Sequence, residues 1–596
     1  MFQTSFTPSI YTELYLMIRC KWLWVLCVLA MANVDIRAQE VDTVRFAKYN
    51  YMLMDRQEDL MVNSVYLQMP PSKRVHTGIR PYRYEMFDRM AWDSLEFDWS
   101  AAPFRRFPIE PDKAEEYALL HKTYNGTSKL WSWVHRKLFN ESFITLTEES
   151  VIKTPESYNI TINPIAFFEM APGDGDIPYY YMNGRGVWIN GNFGKFSFYT
   201  MVGENQGRFP QLYNEFYADA RFAHGWGWRR GFKDRGHDFA MAMGEVNYTP
   251  NNYFSFTLGH GKHFWGEGYR SLFLSDFSMP FPFFKIETTL GPVKYINLWA
   301  IHADASDARG LDVFPNKYTA MHLLSWNITP RWNFQFFEAN VWSQDTIGTA
   351  TGFNVHFLNP VIFYRTIEYQ AGFGGGNALA GLASSYRIGN GLKVYGQFIV
   401  DDFKLDALRA WRDGHWLNLF GVQAGAMYGN YMRDVNYTIG LEWNRVRPFV
   451  YSHRSRASNY EHLNYPIAHP WGSGFQELIF HGQARYKRWV TEWVFSAGVA
   501  GRDTAGINLG NDIRRSYLDR PLGNLGYQMP TGNPVTIVNA QWSIGYMVNI
   551  STGMRLEAGF RIRRERFRNP TDEEALPFDW FFVGLRTPFF NRYYDM

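Results

Sequence analysis

Cysteine is almost missing from this chain: Cys20 and Cys27 are the only two among 596 residues, both close to the N-terminus. Arg19 and Lys21 precede an apolar stretch, Trp22 to Ala32, of the length of a signal-peptide core, and Ile36-Arg37-Ala38 offers an imperfect cleavage context. Residues 1–38 therefore read as an export signal, with Met17 as an alternative start, and both cysteines would leave with it. The expected mature protein then has neither a disulfide nor thiol chemistry. Leu26 before Cys27 argues against a lipoprotein.

Long hydrophobic runs are also missing. No stretch of eighteen apolar residues follows the N-terminus, which excludes an ordinary helical membrane span. Net charge is small, 60 Lys and Arg against 57 Asp and Glu, and no basic helical stripe or zinc-type cysteine set points to nucleic acid. There is no GxSxG elbow, HExxH or P-loop. Asp401 and Asp402 are adjacent on a strand and so point to opposite faces, unlike the facing pair a glycosidase needs. Glu267, Glu338 and Glu368 offer no visible pairing either. The chain reads as a non-enzyme without a cofactor.

Aromatic residues, by contrast, are abundant: 49 Phe, 37 Tyr and 22 Trp, beside 50 Gly. They recur in strands with one greasy side. Phe254, Phe256 and Leu258 alternate with Ser255 and Thr257. Trp332, Phe334 and Phe336 alternate with Asn333 and Gln335. Leu392 to Val400 alternates with Lys393 to Asp401, and Met554 to Ile562 with Arg555 to Arg563. A soluble all-β protein or a solenoid produces such patterns less naturally over four hundred residues. A sheet in hydrocarbon must close, so the expectation is an all-β transmembrane barrel of about 14 to 20 antiparallel strands over residues 151–596. Residues 39–150 read differently. Val44 to Met61, Ala114 to His121 and Leu130 to Leu138 are helical candidates whose apolar faces must be buried against something, so the region is expected to be mainly helical. The polar segments Ala171 to Ile177, His302 to Lys317, His453 to Gly474 and Asp503 to Thr536 are expected as extracellular loops. The final DWFFVGLRTPFFNRYYDM reads as a closing strand, although Tyr593 to Met596 departs from the terminal phenylalanine common in such barrels.

The most distinctive stretch is GHGKHFWGEGYRSLFLSD, Gly259 to Asp276, a glycine-rich break after a clean strand. His260, His263 and Glu267 raise the question of a metal. The glycines at 259, 261, 266 and 268 disfavour a helix, and on a strand an offset of three splits the imidazoles between faces, so no metal site is expected. With TGIRPYRYEMFDRM (Thr77 to Met90), KLFNESF (Lys137 to Phe143), NGRGVWINGNFG (Asn183 to Gly194), KYTAMHLLSWNIT (Lys317 to Thr329), LNPVIFYRTIE (Leu358 to Glu368) and VYGQFIVDDF (Val394 to Phe403), the stretch resembles the Wzi-type capsule assembly family of outer-membrane β-barrels. The likeness is strongest to its Bacteroidetes-like branch, which includes gliding-motility-associated proteins. The resemblance implies 18 strands, a small helical periplasmic region or plug in residues 39–150 that obstructs the periplasmic end, and attachment or assembly of surface polysaccharide by a lectin-like anchor.

Candidate ligand-binding residues combine cation and aromatic. In WGEGYR they are Trp265, Glu267, Tyr269 and Arg270; Arg445 and Arg447, with Arg454 and Arg456 beyond, form one basic cluster; Arg555, Arg561 and Arg563 share one strand face. Projected into the lumen or mouth, they suit an anionic surface polysaccharide. The bland reading has the same arginines neutralising interior acids or meeting lipid phosphates at the rim. Arg564, Arg566 and Arg568 fall on the opposite parity, so the strand is expected to leave the membrane or bulge before them. Two other functions use the same fold: a motility or secretion component with a protein partner, and a diffusion porin.

Overall fold

Alternation of side-chain character sets the architecture. In the computed structural model, Lys393, Tyr395, Gln397, Ile399 and Asp401 are all buried inside, while Phe398 on the other parity is exposed. The same holds for Ser255 and Thr257 against Leu258, and for Arg555, Arg561 and Arg563 against Leu556. The structure describes residues 56–82, 142–147, 158–214, 221–233, 235–305, 314–343, 353, 355–361, 376–401, 416–432, 435–504, 506–521, 529–549, 552–569 and 578–595. The expected signal segment, Cys20 and Cys27, and the helical candidates at 114–121 and 130–138 lie outside the described residues.

Eighteen strands form a closed antiparallel barrel. In chain order they are β1 (Tyr158–Pro172), β2 (Tyr179–Phe193), β3 (Phe196–Arg208), β4 (Gly236–Tyr248), β5 (Phe254–Gly261) and β6 (Phe281–Leu290). Next come β7 (Val293–Ala303), β8 (Asn316–Thr329), β9 (Trp332–Ser343), β10 (Asn377–Ile388), β11 (Leu392–Asp401) and β12 (Phe420–Met432). The last six are β13 (Val435–Val446), β14 (Phe475–Tyr486), β15 (Trp489–Ala500), β16 (Val535–Met547), β17 (Arg555–Phe567) and β18 (Phe578–Arg586). Connections alternate between short turns at one rim, such as 194–195, 291–292 and 487–488, and long loops at the other. The described residues of the four polar segments expected as loops all belong to connections on the long-loop side.

Closure has an unusual seam. β18 pairs with β1 at only four positions, Val583↔Met170 to Arg586↔Phe167. Below them the wall is continued by a short strand from the N-terminal side, Ile144–Thr147, which pairs with Ile162 to Asn159 of β1. After Arg586 the chain leaves the wall and turns into the lumen.

The outer surface is apolar and has an aromatic rim at the short turns. Phe193 and Phe196 stack at 5.5 Å, Phe196 and Tyr248 at 4.7 Å, and Trp489 meets Tyr546 at 5.2 Å. Such girdles mark the membrane interface of a barrel. On the opposite half, Val355–Leu358 forms a one-turn strap laid on the outer wall. The carbonyl of Phe357 accepts from Trp299 Nε1 at 2.6 Å, and its ring stacks on Trp342 at 4.4 Å. Val355, Leu358 and Val361 remain outward and exposed, so the strap presents apolar groups where the wall would. No described helix is long and apolar enough to cross a membrane.

One helix, α1 (Arg56–Gln68), sits inside the short-turn end against β12, β13 and β14. It bonds to the lumen wall: Asn63 Oδ1 accepts from Lys393 Nζ at 2.7 Å, and the Leu60 carbonyl accepts from Thr438 Oγ1 at 3.0 Å. The Leu67 and Met69 carbonyls at its C-terminal end both accept from Arg387 Nη2 at 2.8 Å, so a cation meets the negative end of the helix.

Candidate functional site

After β5 the chain does not run out over the mouth. Residues 261–280 fold back into the barrel, and every one of them is buried. A loop in that position must find partners for its backbone polar groups, and the inward side chains of the wall provide them. Glu442 accepts from the Tyr269 N–H at 2.7 Å and the Arg270 N–H at 3.0 Å; Gln423 donates to the Arg270 carbonyl at 3.0 Å. Gln397 accepts from Leu272 N–H at 2.8 Å and donates to the Trp265 carbonyl at 3.2 Å. Phe264–Trp265 also pairs with Ile79–Arg80, so the segment after α1 and the loop form a two-stranded ribbon within the lumen.

Glycine is required where backbone meets wall. A Cβ on Gly268 would fall on the Glu442 carboxylate, and one on Gly266 would lie 2.7 Å from Gln397 Nε2. Gly268→Ala is expected to cost about 1–3 kcal/mol through this overpacking, read as an earlier loss of the compact barrel form when the purified protein is heated. An unchanged melting point would mean that the loop does not seat here.

The four WGEGYR candidates all hold the plug. Trp265, 1 % exposed, packs edge-on to Phe337 at 6.0 Å. Glu267 accepts from Lys393 Nζ at 2.8 Å, Thr77 Oγ1 at 2.7 Å and Ser385 Oγ at 3.2 Å. Burial pushes its carboxyl up, but the Lys393 ammonium and these hydrogen bonds outweigh that and hold it below the usual range. The Arg270 guanidinium reaches Glu477 at 3.4 Å and Asp595 at 3.0 Å and lies over Tyr269, whose hydroxyl donates to Asp595 at 3.0 Å. Glu477 also takes hydrogen bonds from His469 and Asn444. Asp595 belongs to the segment 587–595, which fills the lumen beside the loop: Phe590 packs on Trp226 at 4.9 Å, and Asn591 and Tyr593 donate to Asp276. From the long-loop side, Tyr451 and Tyr460 cover the loop by donating to the Leu272 and Phe273 carbonyls, each at 2.8 Å.

Of the arginines, three face inward and two do not. Arg555 pairs with Glu492 and Glu557, each at 2.9 Å; Arg561 grips Glu169 bidentately at 2.6 and 2.8 Å; Arg563 pairs with Glu565 at 2.7 Å. They neutralise interior acids, as a polar lumen requires. Of the placements open to them, Arg445 and Arg447 do not take the lumen. Glu442, Asn444 and Val446 take the inward parity of β13, so Arg445 is exposed on the outer wall and Arg447 lies half-buried over Phe420 at 5.5 Å. β17 does not bulge before Arg564, because its register with β16 runs unbroken to Val535↔Phe567, and the outer arginines sit at its long-loop end, beyond the outward column Leu556 to Ile562.

His260 is exposed on the wall and bonds the Ala242 carbonyl at 2.9 Å, whereas His263 is buried edge-on to Phe283 at 4.3 Å. Among the described residues no three His, Cys, Asp or Glu side chains come together as a metal cluster. Asp401 is committed to the Tyr451 N–H at 2.6 Å.

One surface went unread in the sequence. At the long-loop mouth, the Arg520 guanidinium lies 3.6 Å over the Trp416 ring, Tyr517 packs against the same ring at 5.4 Å, and His453 meets Tyr517 at 5.9 Å. Trp416, Tyr517 and Arg520 are half-buried, with Arg454 and Arg456 exposed nearby in the chain fold; Arg456 is paired to Asp519 at 3.5 Å. The ring and its cation come from loops about a hundred residues apart, and neither segment has a local motif.

No protein-family model and no curated protein sequence matches the chain. Among solved structures, it is similar to Wzi of Escherichia coli, described as an outer membrane protein involved in group 1 capsule assembly and a carbohydrate-binding β-barrel. Identity is 12 %, the match covers 91 % of this chain and 100 % of that one, and the TM-score is 0.51. Weaker matches are OprD of Pseudomonas aeruginosa, at 9 % identity, covering 76 % of this chain and 99 % of that one with TM-score 0.37, and OccK3 of the same organism, at 9 % identity, 72 % and 94 % coverage and TM-score 0.36. At such identities the likeness is one of fold, that of a closed antiparallel β-barrel.

Proposed function

We propose that this barrel is a non-enzymatic outer-membrane anchor for surface polysaccharide, with its long loops outside and α1 at the periplasmic end. The observation that carries this reading is the filled lumen. Four segments, 59–82, 262–280, 449–469 and 587–595, pack into the barrel and bond to its wall or to each other. That arrangement suits a rigid support better than a diffusion pore. The carbohydrate binding described for Wzi supports the ligand class.

Contact with glycan is assigned to the mouth. The faces of Trp416 and Tyr517 offer flat apolar surface to sugar rings, and Arg520 and Arg454 offer charge-assisted hydrogen bonds to sugar carboxylates. Trp265, Glu267, Tyr269 and Arg270 act from beneath, by fixing the loop that Tyr451 and Tyr460 rest on, and so by preorganising the mouth. Arg555, Arg561 and Arg563 fix the lumen wall and the 587–595 segment in the same sense.

The test is binding of the detergent-purified protein to surface polysaccharide from its own organism, at low and high salt. Saturable binding that weakens with salt is expected. The Trp416→Ala/Arg520→Ala variant should bind about tenfold more weakly, the equivalent of ~1.4 kcal/mol. Absence of binding at both ionic strengths would overturn the reading in favour of a protein partner.

A further inference from the structure

Arg555, Arg561 and Arg563, which face inward, have carboxylate partners; several outward arginines do not. Arg445 on β13 and Arg566 and Arg568 at the end of β17 are exposed, and among the described residues no acid lies within ion-pair distance of them, whereas Arg564 beside them is tied to Asp579 at 2.8 Å. Their position is more telling than their exposure. On β13 the outward face reads Leu441, Trp443, Arg445, and the first two are 50 % and 36 % exposed. On β17 it reads Leu556, Ala558, Phe560, Ile562, and then the arginines. Each cluster thus begins where a lipid-facing apolar column ends.

Strand geometry fixes that height. Val435 to Arg445 is ten residues from the short-turn rim. At about 3.4 Å per residue and a tilt near 40°, the rise is about 26 Å, close to the roughly 25 Å apolar band of such barrels. The two clusters are also linked by register. Arg445 pairs with Gln476, Gln476 with Val499, Val499 with Thr536, and Thr536 with Arg566. One hydrogen-bonded row crosses five strands, and at about 4.8 Å per strand its ends lie about 19 Å apart. Between them the face carries Gln476 and Thr536 and no acid.

We infer that the outer wall of β13–β17 at the long-loop rim is a binding site for the phosphorylated headgroup of an anionic membrane lipid, held by Arg445 at one end and by Arg566 and Arg568 at the other. A guanidinium at the edge of hydrocarbon needs an anion that is itself in the interface, and phosphate matches its fork of donors. The lipid's chains would lie on Leu441, Leu478 and Val538, which are exposed just below the row. The site is on the opposite side of the wall from the lumen and does not depend on the glycan reading.

The experiment uses the full-length protein in neutral detergent with a bisphosphorylated glycolipid, its dephosphorylated form, or inorganic phosphate as separate additives, and reads bound lipid per barrel by native mass spectrometry. The expected result is saturable retention of the phosphorylated lipid and little of the dephosphorylated one. Arg445→Gln/Arg566→Gln/Arg568→Gln should weaken retention at least about tenfold, and the three lysine replacements should restore part of it. All variants should keep the compact barrel form on unheated gels, since these side chains pack against nothing in the core. Equal retention by the glutamine variant, or equal retention of both lipids by the unaltered protein, would overturn the proposal. Displacement of the lipid by an equimolar amount of inorganic phosphate would likewise overturn it, by reducing the site to one for free anions.

Discussion

Arg270→Ala is expected to destabilise the folded barrel by about 3–5 kcal/mol, because it strands buried acids without their cation. Arg270 is 1 % exposed, and its guanidinium serves Glu477 and Asp595 together, so its removal leaves both carboxylates in a medium that cannot solvate them. The loss should appear as a fall in the temperature at which the purified protein gives up its compact form. Neutralising the acids in the same background, with Glu477→Gln and Asp595→Asn, should recover much of it, since a neutral hydrogen-bonded cluster carries no unpaired charge. If the single variant melts like the unaltered protein, the 587–595 segment is not seated against the loop, and the filled lumen loses one of its four parts.

Conductance is the second large effect. The intact protein is expected to show none in planar bilayers. Replacing residues 264–276 with a glycine-serine linker that still joins β5 to β6 removes the central one of the four lumen segments and should give rise to measurable current. The wall behind the loop makes this outcome reasonable: Lys393, Gln397, Gln423, Glu442 and Glu477 point inward and can be hydrated once the loop is gone. Barrels with polar interiors hold water unless something displaces it. Steady current through the intact protein would sink the idea of a sealed support and return the porin reading.

How much of this was legible beforehand differs by feature. The wall was readable because side-chain parity is a local property: the alternation around Leu392 to Val400 and Met554 to Ile562 gave the correct inner and outer faces, down to which side Arg555, Arg561 and Arg563 occupy. Parity by itself does not say at which residue the hydrocarbon ends; the cost of an arginine on the lipid face is what put that end before Arg564. The WGEGYR stretch was correctly seen as a break after a strand, with glycines that matter. Its inward course was invisible, since the groups that hold it, Glu442, Glu477 and Asp595, are 172 to 325 residues away in sequence. Trp416 and Arg520 were missed for the same reason.

The short pairing of β18 with β1 has a consequence for how the barrel is made. Asn159 to Ile162 of β1 find their edge partner in Ile144–Thr147, which comes from the opposite end of the chain to β18. Without it, that stretch of β1 would present open backbone groups to lipid, at several kcal/mol each. The cylinder is therefore sealed like a zip with two sliders, one arriving from each terminus. A copy lacking residues 142–147 should insert with a notch on its short-turn side, and strand exchange with a neighbouring barrel becomes the cheapest way to fill it.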